Sequence, residues 1–404
     1  RVTRYAALGY MARIALHEGT FRKYHEEISE LAGTVNSFLE KAVWATDEIM
    51  SSGQFEITGK GAAAYRDLFT NPDLSKNKEM ILFSDYDKDL NRKNNTSTVL
   101  NWQWNLSRSL ADSYLKSDGT PITEADRTKT FVDMFTDRDP RMAETIMYPG
   151  FINEGDNSTL PTKIVLDYGG LGQIKFLPRT DATYGGWGEN ITDLPIIRYA
   201  EILLINAEAK AELGILTQND LNATVNLLRS RVEMPEMTIN VPIDPALEAL
   251  YPSVSGALKN VILEIRRERR VELVFEGFRF DDLMRWKAGK LLEKEPEGLY
   301  FPGLGKYDLT GDGIEDIYLI PSDANIPAEA DKETNSLGEK LVYYRTGSID
   351  DVNATVYLRE GTKGNILTIK DMGTFQEPKY YYRPVPKHEM DLNPNLGPQL
   401  FGWE

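Results

Sequence analysis

The sequence predicts a mostly α protein whose paired helices stack as an α-α superhelix, with one loop-rich face and a few short strands. Three observations predict it. Two alanine-rich helical stretches each open on Arg-Tyr-Ala, and each is followed by a second helical stretch. One segment, Val261–Trp286, combines a strong apolar content with six arginines and six acids. The stretches in between are crowded with Asn, Asp, Gly, Pro and Thr, which favour turns.

Composition narrows the class before any element is placed. Among 404 residues, 41% are hydrophobic and 27% charged, the balance of an ordinary globular protein. A formal charge of −16 opposes binding to nucleic acid or to an anionic membrane surface. No apolar run reaches the roughly 18 residues of a membrane span. With no cysteine, these 404 residues hold neither disulfide nor thiolate chemistry. The chain opens inside a helical pattern, with no cap and no signal peptide before it, so further residues are expected upstream.

The first helix pair occupies residues 1–53. "RYAALGYMARIALHEG" sets Ala7, Met11, Ile14 and Ala15 on one face and is expected to stop at Gly19. "NSFLEKAVWATDEIMSSG" sets Phe38, Ala42, Ala45 and Ile49 on one face and ends at Gly53. Asn36 or Ser37 is its candidate cap, with Glu40 at capping-box distance from Ser37. Residues 54–197 read as loops. A second pair, "RYAEILLINAEAKAELG" (198–214) and "LTQNDLNATVNLLRSRV" (216–232), opens the 198–295 part. Small alanines and terminal glycines make both pairs resemble tetratricopeptide units, which bury their faces by stacking. Residues 296–404 are irregular, with "IYLIP", "LVYYR" and "NATVYLRE" as short strands. The four parts read as one domain over 1–404.

The charges of the 261–286 segment balance: Arg266, Arg267, Arg269, Arg270, Arg279 and Arg285 against Glu264, Glu268, Glu272, Glu276, Asp281 and Asp282. Its glutamates recur every fourth residue, and like charges at that spacing repel by a few tenths of a kcal/mol. Arginines must therefore cover the stripe, either locally (Glu264 with Arg267, Arg269 with Glu272, Glu276 with Arg279) or from other elements. A neutral helix is no nucleic-acid reader. The reading preferred over a solvated amphipathic helix is a structural one, whose Arg–Glu network ties neighbouring elements together.

Four segments together carry a family resemblance. "RRERRVELVFEGFRFDDLMRWKAG" resembles the signature of the SusD/RagB family, nutrient-capturing outer-membrane lipoproteins of Bacteroidetes. "LPIIRYAEILLINAEAKAELG" resembles the helix preceding that signature, and "RVTRYAALGYMARIALHEG" an early tetratricopeptide-like helix. "YYYRPVPKHEMDLNPNLGPQLFGW" resembles the closing segment, although its last residues are rearranged from the family's Gln-Asn-Pro-Gly. The resemblance implies four tetratricopeptide-like helix pairs opposite a loop-rich ligand-binding side. It implies a lipid anchor on the extracellular face of the outer membrane, and a partner, the TonB-dependent transporter of the SusC type. It also implies oligosaccharide ligands, or peptides in the RagB branch.

Binding to sugars needs aromatic faces beside polar groups. Trp102 and Trp104, among Asn101, Gln103 and Asn105, alternate so as to share one face of an extended segment. Tyr184 and Trp187, with Asn190, lie in a glycine-flanked loop. Trp44 and Trp286 read as core. In "YDLTGDGIEDIYL", Asp308, Thr310, Asp312, the Ile314 carbonyl and Asp316 take positions 1, 3, 5, 7 and 9 of a calcium loop. Gly313 sits at the turn, and Leu319 stands where a glutamate closes an EF-hand. The alternative there is an Asx-rich hairpin turn, and any ion would be structural. Only His17, His25 and His388 occur, without metal-ligand spacing, and there is no Walker or G-x-S-x-G motif. The function expected is non-catalytic glycan capture. The alternatives are a peptide binder, a helical protein–protein scaffold and, least of all, a two-carboxylate glycoside hydrolase.

Overall fold

The structure, a computed structural model, describes residues 2–100, 104–153, 159–179 and 186–403. Helix α1 (Arg4–Tyr24) begins at a true cap, the Thr3 side chain accepting from the Ala6 amide. It runs through Gly19, which is a packing residue and not a terminus: a Cβ there would lie 2.7 Å from Leu39 Cδ2. α2 (Val35–Met50) returns antiparallel, since Arg4 near the start of α1 pairs with Glu48 near the end of α2. Its N-cap position is Thr34, not Asn36 or Ser37. The buried face of α1 is Ala6, Leu8, Ala12, Ala15 and Leu16; Ile14, placed inside by the sequence, is 59% exposed. Alanines on both sides of this helix blur its apolar stripe, which shifts the true face by about one residue.

After α3 (Ala62–Thr70) comes β1 (Met80–Ser84), antiparallel to β2 (Leu194–Arg198). Arg198 therefore ends a strand, and α4 (Tyr199–Glu212) starts one residue later. α4 is buried on nearly all sides, so its acids need partners: Glu201 takes Arg13, Glu208 takes Arg285, and Glu212 takes Lys23 and the Tyr24 hydroxyl. The stretch 216–232 is two short helices, Gln218–Asn222 and α5 (Val225–Arg231). The second pair thus does not repeat the first.

The charge-rich segment is also two helices, α6 (Lys259–Glu272) and α7 (Arg279–Arg285). Phe275 (φ 64°) and Gly277 (φ 86°) turn the chain between them. α6 stands between the two largest cores: Leu263 and Ile265 pack with α1, α2 and α4, whereas Val271 joins the core under the large sheet. From Val261 to Arg269 every residue is buried, so the helix is no solvated one. Glu272 accepts from Arg141 (3.0 Å), Arg198 (2.7 Å) and Arg231; Glu268 takes Arg141 and Arg229; Glu276 takes Arg198 and Lys175. The network ties elements together as the sequence implied, but of the local pairs only Glu264–Arg267 forms. Arg269 turns to Asp282 and Arg279 to the Tyr251 hydroxyl.

The C-terminal part holds more sheet than a few short strands. β3 (Glu297–Phe301), β4 (Gly305–Tyr307), β5 (Ile317–Pro321), β6 (Val342–Gly347), β7 (Val356–Leu358) and β8 (Gly364–Leu367) form one six-stranded sheet in the order β3-β8-β7-β6-β5-β4. The β5–β6 and β6–β7 pairs are parallel and the others antiparallel.

Candidate functional site

The two aromatic loops predicted separately are tied to one another. Asn94 and Asn190 exchange backbone hydrogen bonds of 2.8 and 3.1 Å. Asn94 Nδ2 donates to the Thr192 carbonyl, the Gly188 amide donates to Asn95 Oδ1 (2.9 Å each), and Lys93 pairs with Glu189. Behind them the buried Asp193 carboxylate accepts from the Leu74 and Tyr86 amides at 2.9 and 2.7 Å. Burial raises its pKa, while those two amides favour the ionised form. The two stretches are therefore joined at 93–95 and 188–192 by one pair of backbone bonds and by the side chains of Asn94, Asn95, Lys93 and Glu189.

Trp104 is 52% exposed and Trp187 is 68% exposed. The Trp104 indole N–H donates to the Val99 carbonyl (2.8 Å), which orients the ring and leaves part of it open to solvent. Trp102 and Tyr184 lie outside the described residues. Asn190 is buried, and its Oδ1 accepts from the Thr192 amide, so it shapes the loop from within. A further exposed aromatic that the sequence did not single out, Tyr168 (60%), lies in the stretch that leads to Gly172, the bridge partner of Asn105. A signal was available: Tyr168-Gly169-Gly170 repeats Tyr184-Gly185-Gly186. Gly169 is pressed against β3, where a Cβ on Gly298 would meet the Gly169 carbonyl at 2.2 Å.

At 308–316 the carboxylates turn inward. Asp308 accepts from the Thr310, Gly311 and Gly313 amides, Asp312 from Ile314, and Asp316 from Leu309 and Thr310. This is the geometry of Asx turns, which satisfy a tight loop's own amides. Among the described residues no group of three His, Cys, Asp or Glu side chains is placed to hold a metal ion. As arranged, the Asp308, Asp312 and Asp316 carboxylates of the predicted calcium loop, which also holds Thr310 and the Ile314 carbonyl, are engaged by the loop's own amides. Of the tryptophans read as core, Trp286 is buried, with its N–H on Glu208, but Trp44 is 46% exposed.

The family model of the SusD family matches residues 75–403, including both aromatic loops, the charge-rich segment and the closing segment. The chain belongs to the SusD family. A SusD-like carbohydrate-binding protein from Bacteroides fragilis shares its fold at 23% identity and a TM-score of 0.62, over 98% of this chain. A second SusD-like protein from the same organism does so at 20% identity and 0.62, over 100% of this chain. The chain spans 65% and 66% of the length of those two structures. Curated protein sequences give no match. In this SusD-family chain no helix among the described residues is long and apolar enough to cross a membrane.

Proposed function

We propose that this SusD-family chain captures oligosaccharides without catalysis at the Trp104–Trp187 loops. It then delivers them, from a lipid-anchored position on the outer face of the outer membrane, to a TonB-dependent transporter of the SusC type. The observation that carries the reading is the pair of exposed indoles on loops locked by the Asn94–Asn190 pairing. Indole faces stack on the C–H faces of pyranose rings. Solved relatives described as carbohydrate-binding support the ligand class. Two acids close to Trp187 in sequence are engaged, Glu189 with Lys93 and Asp193 with two amides, which favours binding over acid–base turnover.

The test is calorimetry with a panel of oligosaccharides and peptides on wild type, Trp104→Ala and Trp187→Ala. Either substitution is expected to weaken saccharide binding by about tenfold or more, the scale of a lost aromatic anchor. Saccharide binding that ignores both substitutions would move the site elsewhere. Binding of peptides alone would replace the glycan reading with a peptide-binding one.

A further inference from the structure

The turn between α6 and α7 opens a cavity of about 500 Å³, whose wall takes in Asn105 and Leu106 just after Trp104. Its wall is apolar over most of its area: Leu106, Leu110, Leu273, Val274, Phe275 and Phe278, with Phe280, 53% exposed, at the rim. Phe275 holds a positive φ, a conformation that bulky residues adopt only where their surroundings impose it.

The polar part of the wall holds Asn105 and Ser107 beside a group of guanidiniums. Arg269, Arg270 and Arg279 line it against a single acid, Asp282. Asp282 is already shared by Arg269 and Arg285. Arg270 donates to the Ser109 and Ser113 hydroxyls (2.9 Å each) and Arg279 to the Tyr251 hydroxyl (3.0 Å). Neither has a carboxylate partner among the described residues, in a chain whose net charge is −16. Asp112, the acid that most favours the charged form of Arg270, is held by Arg108 and Arg127. Arg269, 3% exposed, leaves its Nη1 without a hydrogen-bond partner. Burial disfavours the charged form of Arg270, and the Arg279 guanidinium adds to that. An anion between the two would relieve both effects, and guanidiniums grip a carboxylate through two parallel hydrogen bonds.

The geometry points to a second ligand site in this cavity, one that takes a small carboxylate carrying an aromatic or branched aliphatic body. The body fills the Leu106–Phe278 wall, and the carboxylate lies between Arg270 and Arg279. This site goes beyond glycan capture and does not depend on it.

The test is calorimetric titration of the wild-type chain with 3-phenylpropionate and with its uncharged analogue, 3-phenylpropan-1-ol. The acid is expected to bind at least about tenfold more tightly than the alcohol, the share of a charge-assisted pair. Arg270→Gln and Arg279→Gln, each checked for an unchanged unfolding temperature, are expected to remove that preference. Arg4→Gln, an exposed control with the same change of charge, should keep it. Equal binding of acid and alcohol overturns the proposal, and so does silence from both up to about 10 mM. Preference for the acid that survives both substitutions overturns it as well. The comparison of acid with alcohol uses only wild type, so it stands even if a variant fails to fold.

Discussion

Three guanidiniums, from Arg141, Arg198 and Arg231, converge on the Glu272 carboxylate, which solvent does not reach. Burial alone would raise its pKa; the charges of Arg231, Arg198 and Arg141 overcome that and hold it well below the ordinary glutamate value. Removing one partner of a buried ion pair leaves the others uncompensated, so Glu272→Gln is expected to cost about 3–5 kcal/mol in urea unfolding. A loss well under 1 kcal/mol would show that the arginines are satisfied without it. Gly19 tests packing at the same scale. Gly19→Ala drives a methyl into Leu39 and is expected to cost about 1–3 kcal/mol. Adding Leu39→Ala should make the Gly19 change nearly free, and additivity of the two would refute the contact. Equal numbers of arginines and acids in one segment made a network legible. The identity of the partners was not legible, because Arg141 and Arg198 lie 131 and 74 residues from Glu272.

Boundaries decided most at the scale of elements. A four-residue recurrence of glutamates reads as one helix, but Glu276 lies beyond the end of α6, on the turn that opens the arginine-lined cavity. The Phe-Glu-Gly of residues 275–277 marks that turn in the sequence, since glycine adopts positive φ freely. The tryptophan loops were legible as aromatics among amides. Their adjacency was not, because Asn94 and Asn190 are distant in sequence and pair by backbone, which carries no residue code. The 308–316 loop makes its own hydrogen bonds and should keep its shape without an ion. Millimolar calcium and EDTA are therefore expected to give the same unfolding temperature. A calcium-dependent rise would mean that its carboxylates reorient to form the shell the spacing suggests.

Across the whole molecule, buried acids set the response to pH. Glu208, Glu268, Glu272, Glu276 and Asp282 all have lowered pKa values: burial opposes ionisation and their arginine or lysine partners outweigh it. Glu27 is partly buried, yet hydrogen bonds from Lys287 and His25 hold it down at about 2. Glu144, Asp193, Glu264 and Asp316 shift upward through burial and act in the opposite sense. For a lowered carboxylate, the unfolded chain binds the proton more readily. Its stabilisation is complete above the unfolded pKa, near 4.5 for Glu27, and is lost as pH falls through the folded value. The unfolding temperature is therefore expected to fall from pH 4.5 toward pH 2, and Glu27→Gln to flatten part of that fall. A midpoint that is level or rising over this window would contradict the sign.

By itself the sequence determined the presence of substantial helix, the α1–α2 pair, Trp104 and Trp187 as candidates, and the existence of an Arg–Glu network. Each is carried by residues close together in the chain: a 3.6-residue period, an aromatic among amides, a stripe of like charges that something must cover. Only the tertiary structure decided that six strands close one sheet, that two distant loops share one base, and that α6 breaks to open a cationic cavity. Those features rest on pairings between remote segments, chosen by burial of the whole chain and by the need to satisfy every buried charge. No local pattern encodes which remote partner will be there.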